Sequence, residues 1–180
     1  MADLDFQQVV EMYYESVYRF ALSLTRNEAE ACDLTQQTFY VWARKGHQLR
    51  DPARVKSWLL TTLHRDFLQS REHAARFPHY EVDSVANDLP RITPKLGDHL
   101  DGNTVMAALQ QVEQLYRAPL TLFYLDNFSY LEIAQLLDIP AGTVMSRLSR
   151  GKEQLRKLLD VTPRRESTVI PLPAGPEHHG

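Results

Sequence analysis

The sequence predicts an all-α fold of two small helical domains joined by a flexible linker, the C-terminal one containing a helix-turn-helix. Three observations carry this prediction. Apolar residues recur at steps of three and four wherever a period is clear, and no convincing strand alternation or internal repeat competes with it. Residues 73–101 break the period with Pro78, Pro90, Pro94 and Gly97. Residues 128–159 hold two helical runs separated by Asp138-Ile139-Pro140. The expected division is a first domain over 1–72, a linker over 73–101, a second domain over 102–160 and a flexible tail over 161–180.

Each element has a local reason. Phe6, Val9, Val10, Tyr13, Val17, Phe20, Ala21 and Leu24 form one apolar stripe of a long first helix. Asn27 with Glu30 resembles a capping box opening a second helix, which passes Leu34, Thr38, Val41 and Trp42 and stops at Gly46. Asp51-Pro52 supplies an N-cap and a first-turn proline for a third helix carrying Val55, Trp58, Leu59, Thr62, Leu63 and Phe67. After Asn103 the helical spacing resumes at Val105, Leu109, Val112 and Leu115. A short apolar helix around Leu120 to Leu125 follows, with Pro119 expected in its first turn. The tail holds four prolines and two glycines without a period.

The most specific segment is FSYLEIAQLLDIPAGTVMSRLSRGKEQLRKLL. Ser129 and Glu132 make a capping box, Ile133, Ala134 and Leu137 face inward, and a second helix from about Ala141 turns Val144, Leu148, Leu155 and Leu158 inward. Small Ala134 permits a close crossing, with Ile139 and Val144 filling the angle. Thr143, Met145, Ser146, Arg147, Ser149, Arg150 and Lys152 remain on the outer face and its flanks. Such a helix enters a major groove by its N-terminal end, where serine and arginine reach base edges and phosphates. A helical hairpin with a solvated basic face is the alternative.

Composition excludes other chemistries. A chain of 180 residues and 20.8 kDa leaves no room for a large multidomain enzyme. Its seven glycines include neither GxGxxG nor GxxxxGK[ST], so a phosphate cradle is not expected. Cys32 is the single cysteine, which excludes an internal disulfide, and the seven histidines show no HxxxH or HExxH spacing. No catalytic residue, metal or cofactor is expected, and the protein is not read as an enzyme. No apolar run long enough to span a bilayer and no signal peptide are evident, so the expected location is cytoplasmic, without membrane insertion.

The net charge of −3 is segregated. Residues 1–40 carry seven acids against two arginines. Residues 41–76 carry eight basic residues against three acids, and residues 141–165 seven against two. The second basic zone coincides with the helix-turn-helix.

The C-terminal segment resembles the fourth region of bacterial RNA polymerase sigma factors of the extracytoplasmic-function (ECF) class, whose usual pattern is LSYEEIA...LGIPxGTVxSRLxRA. Residues 5–72 are similar to the second region of that class through YRFALSLTRNEAEACDLTQQTFYVWARK and VKSWLLTTLHRDFLQSRE. A helix-turn-helix alone is common to many regulators; paired with DLTQQTF and SWLLTTLHRD upstream it becomes specific.

The resemblance implies a factor that binds core RNA polymerase, through the large-subunit clamp coiled coil and the flap, and directs initiation on promoter DNA. The polymerase-binding positions are Asp33, Gln36, Gln37 and Phe39, the three polar ones sharing one helical face, with Gln37 where the family commonly has glutamate. The minus-ten positions, which hold opened strand, are Lys45, Arg50, Arg54, Lys56 and Ser57. Trp58 lies on the Val55, Leu59, Leu63 face and is read as core. His64-Arg65-Asp66 departs from the family's Ala-Arg-Asn.

The minus-thirty-five readers are Thr143, Met145, Ser146, Arg147, Ser149, Arg150 and Lys152. Met145 stands where many members have a basic residue, which favours apolar contact with a thymine methyl over guanine readout. Residues 73–101 are expected to thread through the polymerase, and an anti-sigma partner is implied. The competing function is a stand-alone helix-turn-helix regulator that binds duplex operators without polymerase. Such a regulator would dimerise on two half-sites and leave the first domain without a role.

Overall fold

The computed structural model describes residues 5–76 and 102–160 of the chain. Among them are seven α-helices: α1 Phe6–Thr25, α2 Glu28–Lys45, α3 Val55–Arg76, α4 Gly102–Gln111, α5 Gln114–Tyr124, α6 Tyr130–Leu137 and α7 Ala141–Asp160. No strand occurs among the described residues. Helices α1–α3 form the N-terminal module and α4–α7 the C-terminal one.

The stripe of α1 is buried from Val9 onward, through Val17, Phe20, Ala21 and Leu24, whereas Phe6 at its start is 46% exposed. Arg26 ends the helix in a left-handed conformation, φ 58°, and Asn27 returns to extended backbone, where its side chain accepts the Glu30 N–H at 3.1 Å. The turn thus satisfies donors at the start of α2 that would otherwise be orphaned. Gly46 closes α2 with ordinary right-handed backbone, φ −57°. Its requirement is space: a Cβ there would lie 2.6 Å from the Trp42 ring. Trp42 in turn meets Trp58 edge-on at 5.3 Å, so Trp58 belongs to the packing as its spacing predicts.

Asp51 accepts the Ala53 N–H at 3.0 Å and starts a short helical turn over Pro52–Arg54 that leads directly into α3. Val55, Leu59, Leu60, Leu63 and Phe67 then complete the core with α1 and α2. Helix α3 continues to Arg76, past the boundary expected at 72. His73, Ala74, Ala75 and Arg76 contain no breaker, and the first proline comes only at Pro78. The rest of the expected linker, 77–101, and the tail 161–180 lie outside the described residues.

In the C-terminal module two expectations require correction. Leu115 does not continue the stripe of α4 but is 51% exposed, because the chain breaks after Gln111 and α5 begins at Gln114. Pro119 consequently stands inside α5 rather than in its first turn. It cannot donate to the Leu115 carbonyl, and burial of neighbouring Leu120 and Leu122 outweighs that missing bond. Gly151 of α7 brings α7 close to α5: a Cβ there would lie 2.8 Å from Tyr116 and 2.9 Å from Leu120.

The two modules touch, α1 against α5 and α3 against α6. Sequence periodicity does not foresee this contact, because it reports which face is apolar and not which helix covers it.

Two measurements check this packing. Gly46→Ala is expected to lower unfolding stability by about 1–3 kcal/mol in urea, since the Trp42 ring must move to admit the methyl. His64, partly buried beside the Phe20 ring at 6.4 Å, has its pKa pulled below the ordinary imidazole value by burial. The unfolded chain therefore takes up this proton first on acidification. Stability should be complete above about pH 6.5 and decline as pH falls from there through the folded value, and His64→Gln should flatten that part of the curve.

Candidate nucleic-acid interface

Helix α6 is set by the Ser129–Glu132 capping box. The Glu132 carboxylate accepts the Ser129 N–H at 2.8 Å, and the Glu132 N–H donates back to Ser129 Oγ at 3.3 Å. The Ser129 N–H bond first, and second the Ser129 hydroxyl, which donates to the same carboxylate at 2.7 Å, hold the Glu132 carboxyl below the usual carboxylate range. Asp138 ends α6 in a left-handed conformation, φ 54°, and its N–H reaches the Ala134 carbonyl. The Pro140 carbonyl then accepts from Thr143 and Val144 at 2.9 and 3.1 Å and starts α7. Ile133, Val144 and Leu148 are buried where the two helices cross.

Burial of Val144 and Leu148 fixes the rotation of α7 and so decides what it shows. Met145, Ser146, Ser149, Arg150 and Lys152 are exposed, while Thr143 and Arg147 flank them half-buried. Ser146 Oγ donates to the Thr143 carbonyl at 3.0 Å. Met145 is 54% exposed, an apolar side chain presented to solvent in the middle of a polar face. The seven residues singled out from sequence are thus gathered on one helix.

The N-terminal module carries a second set. Lys45, Arg50 and Arg54 are exposed, with Arg54 paired to Asp51 at 3.5 Å. Ser57 is half-buried and donates to the Arg54 carbonyl at 3.0 Å. Lys56 differs: its Nζ lies 3.0 Å from the Asp126 carboxylate and 3.2 Å from the Asp126 carbonyl oxygen, both in the C-terminal module.

On α2, Asp33, Gln36 and Gln37 are exposed on one face. Phe39 is 5% exposed and stacks on Tyr14, so it anchors the helix from beneath. Tyr40, 56% exposed with Arg44 over its ring at 5.7 Å, extends the same face. Sequence reasoning passed over Tyr40, although its spacing of seven from Asp33 and three from Gln37 marks it. Ser16, Arg19 and Asp126, which meet between the modules, carried no comparable signal, being far apart in sequence.

Among the described residues there is no cluster of ligands that could hold a metal ion, and no helix long and apolar enough to cross a membrane.

Residues 9–77 match the family Sigma-70 region 2, and residues 103–155 match Sigma-70, region 4. These matches fall one on each helical module and define the class as that of sigma-70 promoter-recognition factors. The ECF RNA polymerase sigma factor SigE of Mycolicibacterium smegmatis is 32% identical over 157 residues, covering 84% of this chain and 60% of the relative. The ECF RNA polymerase sigma factor SigL of Mycobacterium tuberculosis is 31% identical over 146 residues, covering 79% and 82%. Among solved structures, the sigma factor RpoE of Bartonella quintana, crystallised with the anti-sigma factor NepR, superposes with a TM-score of 0.67 at 28% identity, covering 88% of this chain and 99% of that one. The chain belongs to the ECF sigma factors.

Ser129→Ala removes the cap of α6. It is expected to lower stability by about 1 kcal/mol at neutral pH. The part of that loss carried by the Ser129 hydroxyl on the Glu132 carboxylate is present above about pH 4.3 and fades as pH falls through the lowered folded value, while the part carried by the Glu132 N–H on Ser129 Oγ persists. Urea titrations of both proteins at several pH values check this.

Proposed function

We propose that this chain associates with core RNA polymerase and directs promoter-specific initiation through three surfaces. Asp33, Gln36 and Gln37 on α2, with Phe39 anchoring the helix and Tyr40 extending its face, bind the large-subunit clamp. Lys45, Arg50, Arg54, Lys56 and Ser57 hold the opened strand at the minus-ten element. Thr143, Met145, Ser146, Arg147, Ser149, Arg150 and Lys152 read duplex at the minus-thirty-five element, with Met145 against a thymine methyl. The C-terminal module also meets the flap. The observation that carries this reading is the exposed polar face of α7, held outward by burial of Val144 and Leu148 on a module matching region 4.

The chain supplies recognition and no catalytic group; bond formation belongs to the polymerase. It acts in the cytoplasm, where promoter and polymerase are. An anti-sigma protein is proposed as its regulator, in line with the RpoE relative seen with NepR. A stand-alone operator-binding regulator is not favoured, because it gives the region 2 module no role.

The test is to combine the purified chain with core polymerase and a promoter library and to sequence the transcripts. Initiation at a defined promoter class, dependent on the chain, is expected. Occupancy of palindromic duplexes without polymerase, and no directed initiation, would refute the reading. Within the selected class, Arg150→Ala should reduce transcription about tenfold where the upstream element is intact, since a good base contact contributes about 1–3 kcal/mol. An equal loss on promoters lacking that element would remove Arg150 from the reading face.

A further inference from the structure

One arginine of α5 is buried without a counter-ion. Arg117 is 2% exposed, and its Nε and Nη1 have no hydrogen-bond partner among the described residues. Thr121, one turn further along α5, is 0% exposed, and its Oγ1 has no partner among them either. Residues four apart share a helix face, and helical side chains lean toward the N-terminus, so the Thr121 hydroxyl lies over the turn that carries Arg117. A hydroxyl and a guanidinium thus stand together, unused, on one buried face.

The charges around Arg117 have its own sign. Burial lowers the Arg117 pKa, and the guanidinium groups of Arg26 and Arg71 lower it further. Among the described residues no carboxylate offsets them. The packing of α1 on α5 accounts for Arg26. Ser16 of α1 meets Asp126, just past the end of α5. From that contact α1 runs on to Arg26 at its C-cap and α5 runs back to Arg117, about 15 and about 13 Å at about 1.5 Å per residue, so the two arginines fall at one level of the packed pair. Arg71 rises from α3, over the Phe67 ring at 5.8 Å from its centroid. None of the three arginines makes an ion pair among the described residues.

A guanidinium does not escape burial by releasing its proton, and an unpaired buried charge is strongly destabilising. Water in the gap would satisfy the N–H groups but leave three like charges together. An anion answers both needs. We propose that Arg117 and Thr121 form the floor, and Arg26 and Arg71 the rim, of a site for a small phosphate-bearing anion, either inorganic phosphate or the phosphate chain of a free nucleotide. Guanidinium groups match phosphate oxygens through paired N–H donors, and the Thr121 hydroxyl supplies one donor more. Several cations around one site favour a multiply charged anion over chloride. Arg26 and Arg71 are exposed, so the approach is lined with positive charge and open to solvent. The site uses none of the residues assigned to polymerase or promoter, and it stands independently of those assignments.

The test uses the full chain without polymerase, in buffers of matched ionic strength. Thermal unfolding is followed with rising inorganic phosphate, with rising adenosine triphosphate and with chloride alone. A saturable rise in Tm with phosphate or the nucleotide, absent with chloride, is expected. Arg117→Gln should weaken the fitted affinity about tenfold or more, the loss of a charge-assisted hydrogen bond, and Thr121→Val should weaken it by less. Half-saturation at much lower nucleotide than phosphate assigns the site to a nucleotide, and comparable values assign it to phosphate itself. A rise that does not saturate, that chloride reproduces or that Arg117→Gln retains in full is the effect of an adventitious ion only, and overturns the site.

Arg117→Met gives a readout separate from affinity. In phosphate-free buffer it should be at least as stable as the parent, because it removes an uncompensated buried charge, and in saturating phosphate the parent should overtake it. A variant less stable than the parent by the same margin in both buffers overturns the site, since Arg117 then needs no anion. Should both Arg117 variants fail to fold, Arg26→Gln with Arg71→Gln, at exposed positions, should still lower phosphate affinity about tenfold. Unchanged affinity in that double variant overturns the proposal.

Discussion

Burial of one apolar stripe per helix is the constraint from which the surfaces of this protein follow. Helices α1, α2 and α3 have to cover Val9, Phe20, Leu59, Leu60 and Leu63, and α4–α7 have to cover Leu109, Leu120, Ile133, Val144 and Leu148. Once those side chains leave water, every helix has a fixed rotation, because a helical residue has one neighbour face every three or four positions. The exposed row of α7 and the exposed row of α2 are consequences of that rotation. Neither needs an interaction of its own to be presented.

The backbone devices that break the helices serve the same end. Left-handed residues at Arg26, Asn127 and Asp138 each turn the chain within a few residues, and the side-chain caps at Asn27, Asp51 and Ser129 satisfy donors at the next start. The glycines act through space. Gly46 yields to the Trp42 ring, and Gly151 lets α7 approach α5, so α7 is braced along its length as well as at its tip. The duplex reading proposed for α7 requires such rigidity, since a base contact is selective only when its donor is already in position.

Charge adds a second level. The basic residues of the N-terminal module are mostly solvated, but Lys56 is paired with Asp126 of the other module. This ion pair joins α3 to the loop between α5 and α6.

The sequence by itself determined the helical class, the break between two modules, the caps at Asn27, Asp51 and Ser129, and the outward face from Thr143 to Lys152. These are local: a cap is a residue and its third neighbour, and a face is a period. It also placed Trp58 in the packing, through its spacing from Val55, Leu59 and Leu63. Tertiary structure alone decided that Phe39 packs inward, that Leu115 is left in solvent, that Pro119 sits within α5, and that Ser16 and Asp126 meet across the modules. Each depends on which surface another helix brings to it, and a contact between residues 110 positions apart leaves no periodic trace in the chain.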